Sequence, residues 1–251
     1  MKVYVNGKYV DKEKASISVF DHGLLYGDGV FEGIRAYGGT VFRCREHVDR
    51  LFDSARAILL KIPVTREELE EIIRNTLRKN KLKDAYIRVV VTRGVGDLGL
   101  DPDKCKNASL IVIADKIVLY SDRLYKQGLS IITVPTARVN VSAFDTKIKS
   151  LNYLNNVLAK IEGKLAGVPE VLMLNTAGYV AECSGDNVFA VLGDELVTPP
   201  EDAGILKGIT RQVVLELAEK AGIPVKERNM TRYNLYTADE CFLTGTAAEI
   251  I

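Results

Sequence analysis

The chain has 251 residues, enough for one large domain or two small ones, and two is the preferred division. Thirty-four Lys and Arg against 33 Asp and Glu leave a net charge of +1, which excludes a strong field for nucleic acid or an anionic membrane and points to a small-molecule partner. A hydrophobic content of 47% with 27% charged residues excludes a disordered chain; no apolar run reaches the ~18 residues of a membrane span and the start lacks a signal peptide's pattern, so a cytoplasmic enzyme is expected.

The first quarter reads as β-structure. Val3-Tyr4-Val5 and Tyr9-Val10 flank Asn6-Gly7, and Val30 to Tyr37 and Val41-Phe42-Arg43 flank Gly38-Gly39-Thr40, both with hairpin-turn residues between them. Val48, Leu51, Phe52, Ala55, Ile58 and Leu59 then recur at helical spacing. A second helix opens with the capping box Thr65-x-x-Glu68 ahead of Leu69, Ile72, Ile73 and Leu77. Strands at Tyr86 to Thr92 and Leu110 to Ala114 complete a small α+β domain over 1–117. The polar run Tyr120-Ser121-Asp122-Arg123 predicts a linker at 118–127. A larger α/β domain over 128–251 follows, with strands from Leu129, Glu170, Tyr179 and Val188 and helices near 152–166 and 209–221. Its many short strands predict a barrel-like sheet. The chain ends on Thr244 to Ile251, within an apparent strand and turn.

Chemistry first shows at Gly204 to Arg211, where Gly208, Ile209 and Thr210 open an amphipathic helix whose unpaired amides suit a phosphate. A second glycine-threonine turn, Gly245-Thr246-Ala247, follows an apolar strand and leaves room for a ligand to approach the backbone. Lys147 and Lys149 stand at strand spacing before a helix, and spacing alone does not choose between them as a reactive amine. Cys44, Cys105, Cys183 and Cys241 lie far apart with only His22 and His47 to supplement them, so free thiols and no metal site are expected.

Five separated segments together resemble the fold-type IV aminotransferases, which carry pyridoxal 5'-phosphate. They are Tyr26 to Arg35, Glu46 to Leu51, Ile148 to Leu154, Ala181-Glu182 with Asn187-Val188-Phe189, and the two glycine-threonine turns. The likeness covers essentially the whole chain, and Tyr86-Ile87-Arg88 with Gly245 to Glu249 resembles the branched-chain members most closely. The family's last C-terminal strand and helix have no counterpart after Ile251. The resemblance implies that Lys149 holds the cofactor as an internal aldimine and moves the substrate proton, and that Glu182 faces the pyridine nitrogen. It further implies that Arg50, Gly208, Ile209, Thr210, Gly245 and Thr246 take the phosphate, that Tyr153 meets the ring hydroxyl, and that Leu206 packs on the ring with Gly185 leaving space.

For the substrate, the resemblance implies that the amides of Thr246 and Ala247 take the α-carboxylate, while Tyr26, Phe31, Gly33 and Tyr86 shape an apolar pocket. Arg88 would meet the distal carboxylate of 2-oxoglutarate, and Leu98 and Leu100 would reach a neighbouring subunit's site, making a homodimer the smallest active unit. The expected activity is ping-pong transamination between branched-chain L-amino acids (Leu, Ile, Val) and 2-oxoglutarate. A D-amino-acid aminotransferase is the first alternative, although Val95-Gly96-Asp97-Leu98 stands where its Arg-x-His pattern is expected. An aminodeoxychorismate lyase and a non-catalytic cofactor-binding protein are the others.

Overall fold

Alternation of buried and half-exposed residues from Ala85 to Val91 is what a strand covered on one face by helices requires. In the computed structural model, which describes residues 1–251, this strand is central to the first of two units, formed by Met1–Ile117 and Ile148–Asn152. Its elements are β1 (Lys2–Val5), β2 (Lys8–Asp11), α1 (His22–Tyr26), β3 (Gly29–Tyr37), β4 (Thr40–Val41), α2 (Cys44–Ala57), α3 (Arg66–Lys79), β5 (Ala85–Thr92) and β6 (Ser109–Asp115). The sheet runs β2-β1-β6-β5-β3-β4 and is antiparallel throughout.

Ile87, Val89 and Val91 of β5 and Val30 and Ile34 of β3 pack with Val48, Leu51, Leu69 and Ile73 of the two helices. Each such fully buried side chain contributes about 1.5–3 kcal/mol. The expected capping box is present at α3: Glu68 N donates to Thr65 Oγ1 at 3.2 Å and Thr65 N donates to Glu68 Oε2 at 2.7 Å.

The periodic run expected to carry α2 through Leu59 stops at Ala57. Leu59 is 86% exposed with φ +53°, because the chain reverses there so that Leu60 and Ile62 can enter the core. Arg93 takes over the loosened turn, donating to the carbonyls of Ile58 at 2.7 Å and Leu59 at 3.0 Å while Asp28 holds its guanidinium with two further bonds.

The second unit comprises Val118–Lys147 and Tyr153–Ile251. Its elements are α4 (Asp122–Gln127), β7 (Ile131–Thr133), α5 (Leu154–Leu165), β8 (Glu170–Leu174), β9 (Val180–Cys183), β10 (Asn187–Leu192), β11 (Glu195–Thr198), α6 (Ile209–Lys220), β12 (Val225–Glu227), α7 (Arg232–Tyr236), β13 (Glu240–Gly245) and β14 (Glu249–Ile250). The polar run expected as a linker leads into α4, with Ser121 at its N-cap, and Tyr120 at the start of the run is buried.

The strands here form two sheets, β12-β11-β10-β13-β14 and β7-β8-β9, rather than one closed barrel. A remote residue takes part: Val180 N donates to Met230 O at 2.8 Å, and β9 makes no ladder with β10. Ala159 of α5 packs with Val171 and Met173, and Val214 and Ala218 of α6 pack with Phe189 and Leu196. No helix is long and apolar enough to cross a membrane.

Candidate active site

The strip from Ile148 to Asn152 lies far from the rest of its unit in sequence but is stitched to β3. Phe31 N donates to Lys149 O and Leu151 N to Gly29 O, both at 2.9 Å, and Ser150 bridges Val30. Lys149 N donates to Ser54 Oγ of α2 at 3.1 Å. These bonds fix the lysine backbone and leave the half-buried Lys149 Nζ 4.6 Å from the centre of the Phe31 ring. Lys147, the other lysine at strand spacing, belongs to the second unit, where it is exposed and paired with Asp145 at 3.5 Å. Partial burial against an aromatic face thus falls to Lys149.

Strand parity sorts the first unit's side chains onto two faces. Phe31 and Gly33 alternate with Val30, Glu32 and Ile34, and Gly33 pairs with Arg88 while Arg35 pairs with Tyr86. The face away from the helices therefore carries Phe31, Gly33, Tyr86 and Arg88. The Arg88 guanidinium lies 4.6 Å from the Phe31 ring centre and 5.3 Å from that of Tyr86, and it donates to the Tyr86 hydroxyl at 3.1 Å. Position 33 must be glycine for that arrangement, since a Cβ there would sit 1.9 Å from the Tyr86 oxygen. The opposite face holds Glu32 against α2, where Arg50 and His47 both bind its carboxylate.

Tyr26, in the short helix before β3, donates its hydroxyl to Leu98 O at 2.5 Å, and His22 Nε2 lies 2.7 Å from Asp97 O. Together they seat a loop on which Leu98 and Leu100 are 69% and 79% exposed.

In the second unit Glu182 is buried on β9 among donors. Arg138 Nη2 lies 2.7 Å from its Oε1, and Asn187 Nδ2 and Leu206 N each donate to its Oε2 at 3.0 Å. An acceptor-only carboxylate satisfies all three. Asn187 links this carboxylate to the glycine-threonine turns. It lies opposite Thr244 in the β10–β13 ladder, and its Nδ2 also donates to Leu206 O at 3.0 Å. Its Oδ1 would be 2.0 Å from a Cβ at position 208, so a side chain there would displace the Asn187 amide.

Two observations fit a phosphate group. The 12-residue helix α6 begins at Gly208 with no side-chain cap and no acidic residue in its first turn, which leaves the positive end of its dipole uncompensated by protein. Thr244 Oγ1, at the end of the strand on which α6 packs, is buried without a hydrogen-bond partner. Ile209 and Thr210 are half-buried in that first turn, as are Gly245, Thr246 and Ala247 in the turn after β13. Gly185 is exposed at the β9–β10 turn, and Tyr153 is the half-buried N-cap of α5. Thr210, Thr246 and Glu182 thus share one unit, while Lys149, Arg50, Arg88, Tyr86, Phe31 and Tyr26 share the other.

Four side chains at these places were not singled out in the sequence for a role. Glu32 and His47 lay inside quoted motifs, but strand spacing does not reveal a carboxylate directed into a core. Arg138 carried no local signal, since its partners Asn156, Glu182 and Gly204 are remote in sequence. Asp186 follows Gly185 and looks like a turn residue, yet it is 6% exposed. Burial, joined by the nearby Glu170 and Glu182 charges against an opposing Lys160, pushes its carboxyl up to about 7.

The family model for class IV amino-transferases matches residues 29–251. A Methanocaldococcus jannaschii protein, provisionally named a branched-chain-amino-acid aminotransferase, is 55% identical over 100% of this chain and 86% of its own length. The crystal structure of an Escherichia coli branched-chain amino acid aminotransferase superposes with a TM-score of 0.96 at 37% identity, covering 99% of this chain and 84% of that one. A T.th. branched-chain amino acid aminotransferase, solved with N-(5'-phosphopyridoxyl)-L-glutamate, gives 0.93 at 39% identity over 99% of this chain and 83% of its own. With a buried carboxylate, an uncapped helix terminus and a half-buried lysine already in place, this chain belongs to the class IV aminotransferases, enzymes of the fold-type IV group that use pyridoxal 5'-phosphate.

Proposed function

We propose that this chain exchanges amino groups between branched-chain L-amino acids and 2-oxoglutarate, with Lys149 as the reactive amine. The observation that carries the reading is Lys149 itself, held by backbone bonds to β3 and α2 and half-buried against Phe31. The names of the E. coli and T.th. relatives support the substrate class, and the phosphopyridoxyl-glutamate bound to the latter supports both the cofactor and glutamate as one amino partner. Bound pyridoxal phosphate supplies a carbonyl that captures the amine and a conjugated ring that accepts electrons when the Cα–H bond breaks.

Each residue then has a task its surroundings suit. Lys149 Nζ holds the cofactor between turnovers, takes the proton from the substrate Cα and returns it on the other side of the exchange. Glu182, fixed by three donors, is the carboxylate that would hold the ring nitrogen and favour its protonated form. Arg50, Gly208, Ile209, Thr210, Gly245 and Thr246 would hold the phosphate, Tyr153 would hydrogen-bond the ring hydroxyl, and Leu206 would pack against the ring with Gly185 leaving space.

On the substrate side, Phe31, Gly33 and Tyr86 give an apolar surface for a branched side chain, with Tyr26 and the loop of Leu98 and Leu100 next to it in sequence or by hydrogen bond. Arg88, lying over two aromatic rings, is the cation for a distal carboxylate when 2-oxoglutarate is the acceptor. The amides of Thr246 and Ala247 take the α-carboxylate. A cytoplasmic homodimer completes the proposal.

The test is the visible spectrum of the cofactor-loaded protein before and after L-leucine, with D-alanine in a parallel cuvette. A change with L-leucine alone is expected; a change with D-alanine alone moves the assignment to D-amino acids. Lys149→Ala should lose turnover, and wild-type turnover in that variant refutes the role given to Lys149.

A further inference from the structure

Among the apolar residues that β3 turns toward α2, one position carries a carboxylate. Glu32 is 0% exposed between Val30 and Ile34. Arg50 Nε donates to its Oε1 at 2.6 Å and Arg50 Nη2 to its Oε2 at 2.9 Å, while His47 Nδ1 lies 2.8 Å from Oε2. His47 is buried as completely. Burial opposes ionisation of Glu32, but Arg50 and His47 outweigh it and hold the carboxyl well below the usual carboxylate range.

A buried ion pair of this kind is a poor stabilising device, because well-packed apolar residues of similar volume usually serve the fold as well or better. What two parallel bonds do supply is orientation. A bidentate carboxylate fixes the plane and direction of a guanidinium, which a single point contact does not. Burial holds the His47 imidazole below the usual histidine range, and the Arg50 and Lys149 charges act the same way against Glu32. Its ring ties the same carboxylate at Oε2, while Arg50 remains 14% exposed.

We propose that Glu32, tied by His47, is a positioning residue that aims the Arg50 guanidinium and so sets how tightly this chain holds the phosphate of its cofactor. This rests on reading Arg50 as a phosphate ligand. Two consequences of losing Glu32 oppose each other. Neutralising it raises the positive potential at Arg50 and would tighten anion binding, whereas releasing the guanidinium plane weakens it. The proposal requires that the loss of orientation outweigh the gain in potential, and the sign of the change in affinity decides between them.

The test titrates the full chain with pyridoxal 5'-phosphate and, separately, with pyridoxal, which lacks the phosphate. Glu32→Gln should weaken pyridoxal phosphate binding roughly tenfold, the equivalent of about one charge-assisted hydrogen bond, and leave pyridoxal within about twofold of wild type. Glu32→Asp, which keeps the charge but draws it back, should fall between the two. Equal losses for both ligands would show a scaffold role only, and unchanged or tighter pyridoxal phosphate binding would overturn the proposal outright. If E32Q does not fold, Glu32→Asp decides on the same comparison. Arg50→Lys separates the two layers: it must weaken pyridoxal phosphate alone. If it does not, the phosphate role of Arg50 fails; if it does while Glu32→Gln has no selective effect, only the positioning role fails.

Discussion

Asp186 gives a pH dependence whose sign and size follow from its place in the second unit. An acid with a folded-state pKa of about 7 against a reference of 3.8 binds its proton more tightly in the native state. Its contribution is therefore neutral below about pH 4, and the native state loses stability as pH rises from about 4 to 7. Three pKa units at 1.36 kcal/mol each correspond to about 4 kcal/mol above pH 7, and about 1.5 kcal/mol of that is already lost at pH 5. Asn is nearly isosteric and carries no such penalty. Asp186→Asn should therefore gain about 2–3 kcal/mol relative to wild type on going from pH 5 to pH 8. Urea denaturation of both proteins at the two pH values, followed by far-ultraviolet circular dichroism, measures it. Taking the difference between the proteins removes the other titrating groups and any fixed cost of the amide. A difference that is the same at pH 5 and pH 8 would refute the assigned burial and its effect on Asp186.

Two further changes test the neighbouring geometry. Arg138→Met leaves the buried Glu182 carboxylate without its 2.7 Å partner and should cost about 3–5 kcal/mol, read as a lower urea midpoint. Adding Glu182→Gln should recover part of that loss, so strict additivity would argue against the pair. Gly33→Ala places a Cβ where the Tyr86 hydroxyl now lies, forcing the phenol off its bond to Arg88. It should raise KM for branched-chain donors about tenfold or more while leaving cofactor affinity near wild type, and unchanged kinetics would show that this face does not meet substrate.

Much of this was legible along the chain because it is local. The capping box of α3, the strand β5 and the glycine-threonine entry to α6 are each set within a short stretch of backbone, and each appears where the residues place it. Local signals failed where a distant group intervened. Leu59 continues the α2 periodicity, yet the chain turns there because Arg93, 34 residues on, donates to the freed carbonyls. The strands of the barrel-like second domain divide into two sheets, with Met230, 50 residues on, bonded at the edge of β9.

The candidate site divides along the same line. Motif order identified the family and its cofactor and singled out Lys149, Glu182 and Arg50 as candidates, because residue type in a fixed sequence order is information the chain carries without folding. Spacing could not rank Lys147 against Lys149. The pairing of residues 148–152 with β3, more than 110 residues away, half-buries Lys149 against Phe31 and leaves Lys147 in solvent with Asp145. Only the folded chain likewise brings Arg138 to Glu182, or turns Glu32 inward to Arg50 and His47. Burial, which raises the carboxyl of Asp186 and selects the partners of Glu32, depends on which remote segments exclude water from a side chain, and that is a property of tertiary structure.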